Sequence, residues 1–179
     1  VDVPLIIQDD PVLTGISLSP DFLAELTEEV PNIGYVKLEA PEAPHKIAAL
    51  RERVGDRVKV FGGMGGLVFL EELERGVVGT MPSAALLELA TVYRHFREGR
   101  EREARRVFYG KCLPFINFEI RLALRHITKE VLHMAGIIRS PRVRHPWPAS
   151  FDSVTRRQLR RLISELDLAV LRYRRQARR

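Results

Sequence analysis

Within residues 1–82, four short apolar runs alternate with helical segments, and this alternation constrains the fold more than any other feature of the chain. Pro4-Leu-Ile-Ile-Gln8 is apolar and is closed by Asp9-Asp10-Pro11, so it reads as a buried strand followed by a loop. Ser19 can cap a helix that opens with Pro20 and carries Phe22, Leu23 and Leu26 inward. Pro31-Asn32 stops it, and a strand over Gly34–Lys37 follows. Pro44 starts a second helix bearing Ile47, Leu50 and Val54, closed by Gly55-Asp56. Val58–Phe61 reads as a third strand, Gly62–Gly66 as its loop and Leu67–Arg75 as a third helix. Gly76 then leads into a fourth strand, Val77–Met81. Strands that each precede a helix at this spacing call for a parallel sheet with right-handed crossovers.

After Met81 the strand signals stop. Ser83–Glu98, Glu101–Arg125, Thr128–Ala135 and Ser153–Arg175 read as helices, with breaks at Gly99, Leu113-Pro114 and Pro141–Pro148 and a proline-rich connector over Arg139–Phe151. A parallel barrel needs eight strands and has no edges. Four strands leave two edges and one sheet face open. The chain is therefore expected to be an open sheet or the carboxyl half of a barrel. Its start, Val-Asp-Val-Pro with no methionine, favours the half-barrel.

With 179 residues and 45% hydrophobic content, the chain can bury a core. No apolar run approaches the ~20 residues of a membrane span, and no signal-like segment opens the chain. Cys112 is the only cysteine, so no internal disulfide forms and a reducing cytoplasm is the default expectation. The net charge of +6 is concentrated in Arg97–Lys111 and in the arginine-rich tail. Such a tail can bind nucleic acid or acidic lipid, but Tyr173 is its one aromatic and no nucleic-acid signature accompanies it. A solvated helical face accounts for the charge, so neither a nucleic-acid nor a membrane partner is expected.

Lys37 lies at or near the carboxyl end of the second strand, in Ile33-Gly34-Tyr35-Val36-Lys37-Leu38-Glu39. That end of a strand is where α/β folds carry chemistry. A lysine there can serve as an amine nucleophile towards a carbonyl. A lysine that merely leaves the sheet for solvent fits the same position.

Several stretches together resemble the carboxyl half of the dihydrodipicolinate synthase / N-acetylneuraminate lyase family of class I aldolases. Asp10-Pro11-Val-Leu-Thr14-Gly15 is similar to the loop after the family's fifth strand, and Ile33–Glu39 to the sixth strand with its Schiff-base lysine. Val60-Phe61-Gly62 with its glycine-rich loop resembles the seventh, and Gly76-Val77-Val78-Gly79-Thr80 the eighth. Downstream, Gly99 with Ala104, Leu113-Pro114, the Lys129–Gly136 helix and Arg144-His145-Pro146 follow the family's terminal helices in spacing. The resemblance implies an α/β fold, a (β/α)₈ TIM barrel of which this chain holds strands five to eight. Residues 1–82 would be four βα units, and 83–179 the last barrel helix and a carboxyl-terminal helical extension. It also implies that Lys37 forms an imine with a 2-keto acid such as pyruvate. The reaction would be carbon–carbon cleavage or condensation, or dehydration of a keto-deoxy sugar acid. No cofactor is needed beyond the covalent imine. The family's members are commonly homotetramers, so a homo-oligomer is expected. The chemistry favours a buried amine: a free lysine has a pKa near ~10.4, which leaves about one in a thousand neutral at about pH 7.5, and burial disfavours the charged form.

Departures from the family pattern narrow the expectation. Gln8 stands where the family places a proton-shuttling tyrosine. An amide orients substrate by hydrogen bonds but does not exchange a proton near neutral pH, leaving water, Asp9, Asp10 or a group outside this chain to carry it. Leu13 replaces the synthases' carboxylate-binding arginine, and Met64-Gly65 replaces acids of the sialic acid lyases. Both substrates are therefore disfavoured. The paired-threonine loop that holds pyruvate's carboxylate belongs to the family's second strand, which these residues do not include. The expected site is Lys37 as nucleophile, Gln8 orienting substrate, Gly62 allowing close approach, and Val78 and Thr80 shaping the pocket. A catalytically degenerate member kept for binding or assembly is the alternative that Gln8 raises.

Other constellations carry less. Gly62-Gly63-Met64-Gly65-Gly66 can cradle an anion with backbone amides, which keeps a phosphate-binding barrel in view, but no lysine and hydroxyl follow it as in a P-loop. The histidines at 45, 95, 126, 133 and 145 lack metal-ligand spacing, so no metal is expected. Glu71-Glu72 are expected to face solvent from their helix, and Cys112 to be buried.

Overall fold

The computed structural model describes residues 3–122, 124–146 and 152–172. The chain forms two compact units, Val1–Met81 and Pro82–Arg179.

The first unit is a parallel sheet in the order β1 (Leu5–Asp9), β2 (Ile33–Leu38), β3 (Lys59–Gly62), β4 (Gly79–Thr80). The connections hold α1 (Pro11–Thr14), α2 (Pro20–Glu29), α3 (Ala43–Val54), a 3₁₀ turn at Met64–Gly66 and α4 (Phe69–Leu73). Local chemistry sets the boundaries as anticipated for α2: Ser19 Oγ accepts the Phe22 N–H at 3.1 Å, and Pro20 occupies the first turn. Strand alternation does the rest. Val36, Leu38 and Val60 are fully buried on one face, where α2 and α3 bring Leu23, Ile47 and Leu50, also fully buried. Each such side chain contributes about 1.5–3 kcal/mol by leaving water. The alternate residues form the other face. Ile6 and Tyr35 there are 45% and 40% exposed, and the Tyr35 and Phe61 rings meet at 6.2 Å between centroids. In a closed barrel this second face is the interior.

A buried ion pair ties β1 to α3. Lys46 Nζ donates to Asp9 Oδ2 at 2.5 Å and to Ser17 Oγ at 3.0 Å, while Asp9 Oδ1 accepts the Leu18 N–H at 3.0 Å.

Several boundaries differ from the sequence reading. Asp9-Asp10-Pro11 does not open a plain loop: Asp9 completes β1, and Asp10 caps the single turn of α1 through the Leu13 N–H. The fourth strand is two residues long: only Gly79 and Thr80 pair with β3, opposite Phe61 and Gly62. Val78 precedes the strand and donates its N–H to the Val60 carbonyl. The third helix shortens to α4, since Leu67 and Val68 still belong to the turn before it and Glu74–Gly76 to the turn after it.

The second unit contains α5 (Leu86–Arg97), α6 (Glu101–Val107), α7 (Leu113–Leu122), α8 (Leu124–Met134), α9 (Ser153–Glu165) and a 3₁₀ turn at Ala169–Arg172. Gly99, with φ of 73°, breaks α5 from α6 as expected. Leu113-Pro114 makes no break. The wide π turn Phe108–Cys112 carries α6 into α7, and its altered bonding accommodates the amide proton that Pro114 lacks. Phe108, Cys112, Phe115 and Ile116 form its core. Burial pushes the Cys112 thiol up to about 12, which makes it an inert packing residue. The Glu119 carboxyl is buried and held above the usual carboxylate range by desolvation. It accepts from Ser83 Oγ and Thr128 Oγ1, each at 2.6 Å. The expected helix end at residues 173–175, the tail arginines beyond residue 173 and residues 147–151 of the connector lie outside the described residues. Among the described residues, no helix is long and apolar enough to cross a membrane.

Candidate active site

Strand register decides which candidate side chains meet. Gln8 of β1 pairs with Lys37 of β2, Lys37 with Phe61 of β3, and Phe61 with Gly79 of β4, so these four form one row across the open face. Leu38, Gly62 and Thr80 form the next row, on the helix-covered face. The structure thus brings Gln8 and Lys37 together and places Gly62 and Thr80 in the alternate row.

The centre of the site is a residue absent from the sequence expectations. Glu39 lies two positions after Lys37 and so turns to the same face. Its Oε2 accepts from Lys37 Nζ at 2.7 Å and from Gln8 Nε2 at 2.5 Å, and its Oε1 accepts the Met64 N–H at 2.9 Å. The Lys37 and Glu39 side chains are only 13% and 16% exposed. Lys37 therefore does not leave the sheet for solvent; its ammonium is held against a carboxylate at the end of the strand. The strand period was the available signal for Glu39.

The glycine loop supplies the rest of the cradle. A Cβ at Gly63 would come within 1.9 Å of Glu39 Cγ, so only glycine fits there. Met64, Gly65 and Gly66 all have positive φ, at 50°, 66° and 87°. A left-handed residue other than glycine costs roughly 1–2 kcal/mol, and Met64 bears that cost where its N–H meets Glu39. The loop does bind anions with its amides, but they are the protein's own. Met64 N–H goes to Glu39, Gly63 N–H to Glu72, and the Gly66 and Leu67 amides to backbone carbonyls. This removes the basis for a phosphate cradle.

Glu72 does not face solvent; it is 1% exposed. Its carboxyl fills the space beside Gly62, where a Cβ would come within 1.8 Å of Oε2. Gly62 thus admits Glu72 on the helix-covered side. Desolvation raises the Glu72 carboxyl to about 8, with Glu71 and Glu39 adding to the rise and the Gly63 N–H opposing it. Thr80 Oγ1 is buried without a partner among the described residues. Asp9 and Asp10 are unsuited to carry a proton at the site, since Asp9 is engaged by Lys46 and Leu18, and Asp10 caps α1. Leu13, on α1, is 66% exposed. Among the described residues, no group of three or more His, Cys, Asp or Glu is arranged to hold a metal ion. The helical unit has a separate apolar cavity of about 340 Å³ lined by Leu86, Leu87, Leu132, Ile137 and Val170, but no lysine lines it.

A profile of the Dihydrodipicolinate synthetase family matches residues 1–166. The chain belongs to this family. It is 31% identical over 175 residues to L-2-keto-3-deoxyarabonate dehydratase from Azospirillum brasilense, covering 97% of this chain and 56% of that protein. Dihydrodipicolinate synthase from Rhodopseudomonas palustris superposes with a TM-score of 0.84 at 26% identity, over 92% of this chain and 56% of that one. YagE, a prophage protein from E. coli K12 solved in complex with pyruvate, superposes with a TM-score of 0.82 at 21% identity, over 94% and 58%. The last likeness shows the fold alone. The chain spans a little over half the length of these relatives. Its four parallel strands and helices match about half of a dihydrodipicolinate synthase barrel, in agreement with the half-barrel expectation.

Proposed function

We propose that this family member is a Schiff-base dehydratase acting on a 2-keto-3-deoxy sugar acid. The observation that carries the reading is the Lys37–Glu39 pair: an amine and a carboxylate 2.7 Å apart at the carboxyl end of a barrel strand. Lys37 Nζ adds to the C2 ketone and water leaves, giving an imine that accepts electrons from its neighbour. Glu39 takes a proton from C3, and the C3–H electrons move towards the imine. The C4 hydroxyl then departs with a proton returned by Glu39, so one water is lost and nothing is oxidised or reduced. Hydrolysis of the imine releases product and restores the amine. Glu39 thereby takes the proton-moving role that Gln8 cannot fill. Gln8 spends its Nε2 on Glu39 and offers its carbonyl oxygen to a substrate hydroxyl. Val78 and Thr80 shape the end of β4, and Gly62 seats the turn. The similarity to a dehydratase supports water loss over carbon–carbon cleavage. The leucine at position 13 supports a substrate with no second carboxylate to bind there.

Offered 2-keto-3-deoxy pentonates and hexonates, the intact protein is expected to yield a product lighter by one water. Glu39→Gln is expected to slow this by about 10²–10⁴-fold, the range for a lost proton-transfer group. Cleavage to pyruvate without water loss, or an unimpaired Glu39→Gln variant, contradicts the reading.

A further inference from the structure

Glu72 is buried, chemically capable and unused in the steps above. Its carboxyl is bound to the glycine turn twice, by accepting the Gly63 N–H and by filling the space beside Gly62. On the other side of the same turn, Glu39 fills the space beside Gly63 and accepts the next N–H, that of Met64. The turn is therefore clasped between two carboxyl groups, one on the Lys37 face and one among the helices. Among the described residues, Glu72 Oε2 has no hydrogen-bond partner, a poor setting for a carboxylate and a tolerable one for an acid. The charges that act on Glu72, those of Glu71 in α4 and Glu39 after β2, are both negative. The cations of α3, which packs on α4, are engaged elsewhere: Lys46 with Asp9, Arg51 with Asp56 and Arg53 with Asp21. Thr80 of β4 brings no charge.

We propose that Glu72 is a positioning residue that, seated under the Gly62–Gly63 peptide, fixes the turn whose Met64 N–H holds Glu39 beside Lys37. The proposal rests on the roles assigned above to Lys37 and Glu39. Ionisation of Glu72 would put a second negative charge near Glu39 at a position that is itself buried, and the turn would loosen its hold.

The test uses the intact protein with pyruvate as the probe. Exchange of pyruvate's methyl protons in D₂O reports proton transfer on the imine, borohydride trapping reports the imine itself, and amide hydrogen exchange at Gly63 and Met64 reports the turn without any substrate. Wild-type methyl exchange should fall as pH rises through about 8, where Glu72 ionises. Glu72→Gln keeps the shape and cannot ionise, so it should abolish that alkaline fall while preserving exchange at neutral pH and amide protection. Glu72→Ala should deprotect Gly63 and Met64 and slow methyl exchange by up to about 100-fold, the cost of an ångström of misplacement, while trapping persists. An unchanged alkaline fall in Glu72→Gln, or unchanged amide protection in Glu72→Ala, overturns the proposal. A folded wild-type protein that neither traps nor exchanges pyruvate overturns the Lys37 reading instead, and the amide measurement still reports on the turn.

Discussion

Three donors converge on Glu39: an amine from its own strand, an amide from the neighbouring strand and a backbone N–H from the glycine turn. At this scale the sequence was half legible. Lys37 announced itself by its place at a strand end, and strand alternation put Glu39 on its face. The partners of Glu39 depend on a register and a turn that no local pattern encodes. Glu72 was read wrongly because neighbouring acids on a short helix ordinarily face water, whereas here the absent side chain of Gly62 opens a space for it. Its protonation has a consequence for stability. In the unfolded chain the carboxyl ionises near its ordinary 4.5, and in the folded chain near 8. Between those values the folded state keeps a proton that the unfolded state has released. Stability from this group is thus full below pH 4.5 and declines as pH rises to about 8, with a slope of at most about 1.4 kcal/mol per pH unit. Denaturant midpoints measured across that window should fall for the wild type and fall less steeply for Glu72→Gln; parallel curves contradict the assignment.

Among the elements, long periodic segments were legible and short ones were not. The α2 cap, α3 and the order of the four strands follow from residues that speak locally, such as Ser19, Pro20 and the apolar stripe of Ile47, Leu50 and Val54. β4 is shorter than the strand propensity of its valines implies, because only Gly79 and Thr80 pair in register with β3. Pro114 was read as a break because proline ends ordinary helices, and the π turn before it supplies an exception. The Asp9–Lys46 pair, which fastens β1 to α3 next to Gln8, was invisible for a different reason: its members are 37 residues apart. Removing one partner strands a buried charge. Lys46→Met should therefore destabilise the protein by about 3–5 kcal/mol, and adding Asp9→Asn should recover much of the loss. A single-variant cost below about 1 kcal/mol, the level of an exposed pair, would show that the fastening is unimportant.

For the molecule as a whole, the first unit has one face sheathed by helices and one left open. The open face carries Ile6 and Tyr35 beside the Lys37 row and Phe61 within it, and β1 and β4 are sheet edges. A barrel interior explains all three features at once, and the relatives, of which the chain covers a little over half, supply such a barrel. Within that ring the amine of Lys37 would be enclosed on every side, with Glu39 as its immediate neighbour. The claim that unites fold and chemistry is covalent attachment of a 2-keto acid to that nitrogen. It is tested most directly by incubating the intact protein with pyruvate, reducing with borohydride and mapping the mass increase. The account predicts a permanent adduct on Lys37, lost in Lys37→Met; a folded protein that gains no mass, or gains it at another lysine, would contradict it.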